Sequence, residues 1–170
     1  MFEQDFTDAI ALLKADHRKV EQLFASFEEA KGASRKESLA KEICTELKIH
    51  TMLEEEIFYP ALKGKIEQDM LDEAYVEHDG AKVLINDIEA AAPDAAYYDA
   101  KVKVLSEEIE HHVKEEEQPS EGMFAQARKA DVDLVDMRDR LLARKTELMA
   151  QAESEGLPPA KVTAVNLSPA

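Results

Sequence analysis

The chain has 170 residues, a length that suits one domain with a short extension and a core that needs no disulfide or metal to hold it. Its net charge of −16 disfavours nucleic acid and membrane surfaces as partners, because both carry negative charge. The only cysteine, Cys44, excludes an internal disulfide and a thiolate-rich metal cluster. The first residues, MFEQDFTDAI, are acidic and lack a long apolar run, so we expect no signal peptide and a cytoplasmic protein.

The predicted elements are helices, because glycine is sparse and no segment shows the alternation of a half-buried strand. The second helix is expected to begin at Ser34, since Ser34 and Glu37 fit a capping box. Pro119 is expected to end the fourth helix. The four long helices are predicted over residues 7–32, 34–63, 67–92 and 94–118.

The remainder of the chain is predicted to form a helical extension and a tail. Periodic apolar residues indicate two further helices, over 120–129 and 133–151. The last residues contain prolines and small side chains without periodicity, which is typical of disorder. We therefore expect a bundle domain over residues 1–118, an extension packed on it over 119–152, and a disordered tail over 153–170.

Short connections between long helices favour an all-α, antiparallel up-down four-helix bundle. Apolar residues spaced three and four apart form a stripe along one face of each helix, which we expect to be buried. Each of the four stripes contains one histidine near its middle. In an up-down bundle these four side chains lie at similar depth. They are His17, His50, His78 and His112.

Two of the stripes also carry a carboxylate one turn after the histidine, Glu54 after His50 and Glu116 after His112. Burying such groups without partners costs several kcal/mol, so they should pair with each other or bind a metal ion. A metal ion neutralises the carboxylates and uses the imidazole nitrogens at the same time. The predicted metal ligands are His17, His50, Glu54, His78, His112 and Glu116.

The rotation of the fourth helix leaves an alternative pair, His111 with Glu115, since a shift of one residue turns a ligand by about 100°. For the same reason the glutamate runs 54–56 and 115–117 cannot all face inward. We expect Glu55, Glu56, Glu115 and Glu117 to be solvated. For Tyr59 two roles are open, core packing and a hydrogen bond to a metal ligand, and we expect core packing.

Four motifs resemble those of the hemerythrin-like, or HHE cation-binding, domains: DHRKVEQLF around His17, HTMLEEEIFYP from His50, EHDGAK around His78 and HHVKEEE from His111. The resemblance covers residues 8 to about 118. It implies a four-helix bundle that holds a non-haem iron centre, commonly two irons bridged by carboxylates and an oxygen atom. It also implies the same six ligands, with Glu54 and Glu116 as the bridging carboxylates.

The motifs depart from those of oxygen-carrying hemerythrins at two places. Those proteins have a further histidine one turn before the position of His78, where this chain has Ala74. Their last motif usually spaces histidine and carboxylate by five residues, which His111 with Glu116 would satisfy. We therefore expect one coordination position either to stay open to water or solute or to be filled by Glu21.

Imidazole and carboxylate ligands suit iron, manganese or zinc, and the resemblance favours iron. The leading hypothesis is a module that binds or senses dioxygen or a related small oxidant, or that handles iron. The alternative is an enzyme that consumes hydrogen peroxide or NO. A third hypothesis is a bundle whose histidines and glutamates pair without metal. The sequence leaves monomer and homo-oligomer open.

Overall fold

The computed structural model describes residues 5–168, and within this range the chain is helical with no β-strand. A single π-helical turn, Glu54–Phe58, continues the second helix into the third. The α-helices are α1 (Ala9–Glu29), α2 (Ala33–Leu53), α3 (Tyr59–Leu62), α4 (Gln68–Ala90), α5 (Tyr98–Glu117), α6 (Met123–Lys129) and α7 (Leu134–Ser154).

The ends of the helices follow from local side chains. Asp8 caps α1 by accepting a hydrogen bond from the backbone N–H of Ala11 at 2.9 Å. Asp133 caps α7 in the same way. The predicted capping box at Ser34 is wrong: α2 begins one residue earlier, after Gly32, whose φ of 89° lies in the left-handed region that glycine adopts without strain.

Helices α1, α2, α4 and α5 form the four-helix bundle, in which each helix lies beside two of the others in the order α1, α2, α4, α5. The buried apolar residues divide into two clusters, one containing Leu13 and Leu53 and the other containing Val20 and Leu47. His17 and His50 fall between these residues along their helices. The buried histidines therefore form a polar layer between two apolar halves of the core.

The helical extension packs on one end of the bundle. Phe124 of α6 and Leu141 of α7 are buried in the same apolar cluster as Leu13 and Leu53. Helix α7 lies against α1 and α2. Burial of such side chains stabilises the end of the bundle nearest the polar layer, at about 25 cal/mol for each Å² of apolar surface removed from water.

The prediction of a disordered tail is wrong for residues 157–165, which lie along α2 and α4 without regular secondary structure and bend at residues 163–165. Asp79 accepts hydrogen bonds from the backbone N–H groups of Thr163, Ala164 and Val165 at 2.6–2.8 Å. Asn86 exchanges two hydrogen bonds with the backbone of Ala160. Side chains of α4 thus provide hydrogen-bond partners for the backbone of the tail. Residues 169–170 of the predicted tail lie outside the described range.

Among the described helices, none combines the length and the apolar character that a bilayer crossing requires.

Candidate metal centre

The four histidines predicted from the sequence converge in the polar layer of the bundle. His17 and His50 form one pair, with their Nε2 atoms 3.1 Å apart, and His78 and His112 form a second pair, with their Nε2 atoms 3.2 Å apart. All four side chains are buried. Four helices therefore direct four imidazole nitrogens toward a common centre.

Each predicted carboxylate lies between the two histidine pairs. Glu54 Oε1 is 2.8 Å from His50 Nε2 and 3.4 Å from His78 Nε2. On the opposite side, Glu116 Oε1 is 3.3 Å from the Nε2 atom of His17 and 3.2 Å from that of His112. Each Oε1 atom therefore lies near one imidazole of the first pair and one imidazole of the second. A carboxylate in such a position could contact a metal ion held by either pair.

The outer nitrogen of every histidine contacts a second carboxylate, supplied by the next helix around the bundle. These contacts join His17 to Glu117, His50 to Asp16, His78 to Glu55 and His112 to Glu77, with Nδ1 to oxygen distances of 2.7–3.1 Å. An Nδ1–H that donates to a carboxylate leaves the Nε2 lone pair free to face the centre. We call these four carboxylates the outer ring.

The π-helical turn brings Tyr59 into the site. Residues five apart in an α-helix differ in direction by about 140°, whereas here the backbone N–H of Tyr59 bonds to the carbonyl of Glu54 and completes one wider turn. The Tyr59 hydroxyl donates to Glu116 Oε2 at 3.1 Å and lies 3.1 Å from His78 Nε2. Helical periodicity favours core packing for Tyr59, because it does not express the wider turn, which changes the direction of every later side chain.

Electrostatics within the site favour the charged form of His50 and the ionised form of Glu54 when no metal is bound. Burial alone lowers the pKa of His50, but the Glu54 carboxylate and the bond to Asp16 outweigh it and raise the pKa to about 10. Burial raises the pKa of Glu54, and the nearby His50 together with the other histidines overcomes this and holds the pKa well below its usual value. Burial and the Glu116 charge raise the pKa of Tyr59 well above its usual value, so its phenol stays neutral.

A small cavity of about 10 Å³ adjoins the four histidines. Apolar side chains of α1, α2 and α5 form much of its wall, namely Val20, Leu47, Ile109 and Val113. This volume accommodates about one water-sized molecule. On another side, the ring of Phe124 stacks on His17 with centroids 5.7 Å apart, so the extension covers that part of the centre. The cavity therefore has room beside the imidazoles for one molecule of about the size of water and excludes bulky ones.

The structure places the two candidate histidines of the last helix in different surroundings. His112 is buried in the centre, whereas the His111 side chain is 66% exposed and contacts Glu115 at the surface. Glu21, considered as a further ligand, is half exposed and pairs with Arg18. Neither His111 nor Glu21 reaches the central groups.

Two predictions about the glutamate runs are wrong. Glu55 and Glu117 were expected to be solvated, but they belong to the outer ring and are largely buried. They do not need to face inward, because each reaches around the bundle to the histidine of a neighbouring helix. The other outer-ring members, Asp16 and Glu77, directly precede His17 and His78 in the sequence, and this repeated acidic-histidine pair was the signal that could have revealed them.

The donor set fits metal ions. Both oxygens of Glu54 and the Oε1 atom of Glu116 are buried without a hydrogen-bond partner, which is costly unless a cation binds them. Two groups could each hold one ion, His17 with His50 and Glu116, and His78 with His112 and Glu54. Within each group the candidate ligand atoms lie within 4.8 Å of one another.

Comparison with known proteins agrees with the fold and with cation binding. The model of the hemerythrin HHE cation-binding domain matches residues 8–124, and the chain belongs to this family. A hemerythrin HHE cation-binding domain-containing protein from Mycobacterium kansasii has a similar crystal structure, with a TM-score of 0.74 over 89% of this chain and 95% of that one. Its sequence is 20% identical, so this likeness concerns the fold.

A curated relative from Nostoc sp., described as a DNA nickase, is 27% identical over 106 residues. The match covers 62% of this chain and 30% of the relative, so the chain spans less than a third of that protein's length.

Proposed function

We propose that this protein is a non-haem diiron protein that binds or senses dioxygen or a related small molecule, or handles iron. The observation that carries the proposal is the arrangement of Glu54 and Glu116, two buried carboxylates with unpartnered oxygens that each lie between two histidine pairs. His17 and His50 would hold one iron and His78 and His112 the other, with both carboxylates shared. When bound, two such irons supply electrons for reversible binding or reduction of dioxygen.

The chain's own residues support this function in three ways. The outer ring fixes the imidazoles so that their Nε2 atoms face the centre. Val20 and Leu47 help to make the adjoining cavity apolar, which suits a small uncharged ligand. The Tyr59 hydroxyl can donate a hydrogen bond to Glu116, one of the two central carboxylates.

The proposal is tested by measuring iron per chain in freshly purified protein and the absorption spectrum of the reduced protein before and after air is admitted. We expect about two irons per chain and a near-ultraviolet change on exposure to dioxygen. A stable protein that takes up no iron, manganese or zinc would instead support pairing of the histidines and glutamates without metal.

The neutral phenol of Tyr59 favours a second candidate, an enzyme that consumes hydrogen peroxide or NO. A buried O–H beside Glu116 can donate a hydrogen bond to a small substrate, and the raised pKa keeps the phenol protonated at neutral pH. Sustained peroxide consumption that is lost in His112→Ala and reduced in Tyr59→Phe would support it. Unchanged consumption in both variants would exclude this site as its source.

The similarity to the Nostoc DNA nickase does not lead us to propose nicking for this chain. Only 30% of that protein is covered by the match, and a net charge of −16 opposes contact with a phosphate backbone. A small-molecule role is consistent with a site enclosed by four helices.

A further inference from the structure

The C-terminal tail contacts the surroundings of the metal centre from outside the bundle. The family match ends at residue 124 and the last helix, α7, ends at Ser154, so residues 157–165 belong to neither. These residues nevertheless lie along α2 and α4, the helices that carry two of the central histidines. Any contact that the tail makes near the centre is therefore an addition to the matched domain.

The side chain of Thr163 contacts the outer ring directly. Its hydroxyl donates to Glu55 Oε1 at 2.6 Å, and Glu55 Oε2 lies 2.9 Å from the Nδ1 atom of His78. Glu55 also directly follows the central Glu54 in the sequence. One carboxylate thus joins a side chain of the tail to a buried histidine of the centre.

The backbone of Thr163 is held by the residue next to the same histidine. Asp79, which directly follows His78, is buried and accepts the N–H of Thr163 at 2.8 Å. The other oxygen of Asp79 accepts the N–H groups of Ala164 and Val165 at 2.6 and 2.7 Å. Hydrogen bonds to an ionised carboxylate are stronger than neutral ones, so three of them fix this part of the tail against α4.

Lys82 joins these contacts into one network. Its ammonium group lies 2.8 Å from a Glu55 oxygen, 3.3 Å from an Asp79 oxygen and 3.2 Å from the Thr163 hydroxyl. Lys82 is 4% exposed and lies one helical turn after His78. Because the ammonium group is removed from water, it depends on these three partners, and displacing one of them disturbs the others.

We infer that Thr163 is a positioning residue for the centre, whose hydroxyl holds Glu55 and thereby the ring of His78. The inference rests on the proposed metal function of the buried groups. Linkage requires that a contact which helps to hold a metal ligand is itself strengthened when metal binds. Docking of the tail and binding of metal therefore stabilise each other.

The test compares hydrogen exchange in the metal-free and the Zn²⁺-loaded protein, measured by NMR at the three backbone N–H groups that donate to Asp79. We expect Zn²⁺ to slow exchange at residues 163–165 by roughly tenfold, which is within the usual range for coupled sites. The N–H of Asp136 is the internal control, because it also donates to a carboxylate, that of Asp133 at the start of α7. Its exchange should not change when Zn²⁺ binds.

Two variants separate the hydroxyl from the rest of Thr163. Thr163→Val keeps the size of the side chain and the backbone bonds to Asp79, so the tail can still dock, but Zn²⁺ should no longer slow its exchange. Reciprocity requires that the Zn²⁺ affinity of this variant, measured by competition with a chelator, falls by the factor by which Zn²⁺ slows exchange in the unmodified protein. Thr163→Ser retains the hydroxyl and should behave as the unmodified protein does.

Three results would overturn the inference and leave the proposed metal function intact. Equal exchange in the metal-free and loaded forms of the unmodified protein would show that the tail is held independently of the centre. Slowing that persists in Thr163→Val would exclude the hydroxyl as the link. Equal slowing at Asp136 would mean that Zn²⁺ stabilises the fold as a whole. A protein that binds neither Zn²⁺ nor iron would overturn the metal function itself, and the positioning role of Thr163 with it.

Discussion

The Nδ1 atom of His17 in α1 lies 2.7 Å from an oxygen of Glu117. Glu117 is the last residue of α5 and directly follows the central Glu116. Glu117 also pairs with Arg18, which holds its carboxylate in place. The same relationship recurs at the other three histidines, each time between neighbouring helices. The outer ring thus links the four helices in a closed circle around the centre, and it couples the packing of the bundle to the direction of the imidazoles.

Removing one member of the outer ring should weaken metal binding without removing a ligand. In Glu117→Ala the His17 ring loses the partner that fixes its orientation, so we expect metal affinity to fall by roughly 10- to 100-fold. Competition with a chelator of known affinity measures this fall. Glu110→Ala, a change at an exposed residue of the same helix that pairs with Lys114, is the control and should bind metal as the unmodified protein does. Equal affinity in both variants would contradict a role for the ring.

The two adjacent histidines of α5 should have different effects on metal content. His112→Ala removes a buried imidazole of the centre, so we expect the loss of one of two ions or of both. His111→Ala removes an exposed side chain and should leave the final metal content unchanged. Metal analysis after exhaustive loading and gel filtration distinguishes them. A lower metal content in His111→Ala alone would reverse the assignment.

Tyr59→Phe should destabilise the metal-free protein more than the metal-loaded one. The change removes the hydroxyl that donates to the buried Glu116, so we expect a loss of about 1–3 kcal/mol in the free energy of unfolding without metal. When metal neutralises Glu116, the missing hydrogen bond matters less. Urea unfolding of both forms tests this, and an equal loss in the two forms would show that Tyr59 serves packing alone.

Metal affinity should rise with pH across the neutral range. The pKa of His50 is raised to about 10 in the metal-free protein, so this imidazole carries a proton below that pH and must lose it to bind a metal. We expect the affinity to rise roughly tenfold per pH unit for each proton displaced, up to about pH 10. Titrations between pH 6 and 9 with a pH-corrected chelator measure the slope, and proton release can be followed in a weakly buffered dye solution. An affinity independent of pH would show that the histidines are already neutral.

The tail should detach when its acceptor on α4 is removed. Asp79→Ala deletes three hydrogen bonds to the backbone of residues 163–165, so we expect trypsin to cleave after Lys161 at least roughly tenfold faster. Asp87→Ala is the control, because Asp87 lies on the same helix and pairs only with Lys101 at the surface. Faster cleavage in both variants would indicate a general loosening of α4. Unchanged cleavage in Asp79→Ala would mean that the tail is held by other contacts.

The central donors were predictable from sequence because they depend on helical periodicity alone. His50 and Glu54 lie four residues apart, and four residues is close to one turn in any α-helix. The apolar stripes then place each histidine on the buried face, whichever side chains surround it. For the same reason the four-helix bundle and its helical extension could be inferred without coordinates.

The tertiary structure decided what periodicity cannot express. The contact of Asp16 with His50 joins different helices, and its existence depends on the rotation and spacing of both. Tyr59 enters the centre only because a π-helical turn adds a residue to one turn of the helix. The tail is ordered because Asp79, 84 residues before Thr163, happens to face its backbone. The pattern within each helix thus determined which groups point inward, while the packing between helices determined what those groups contact.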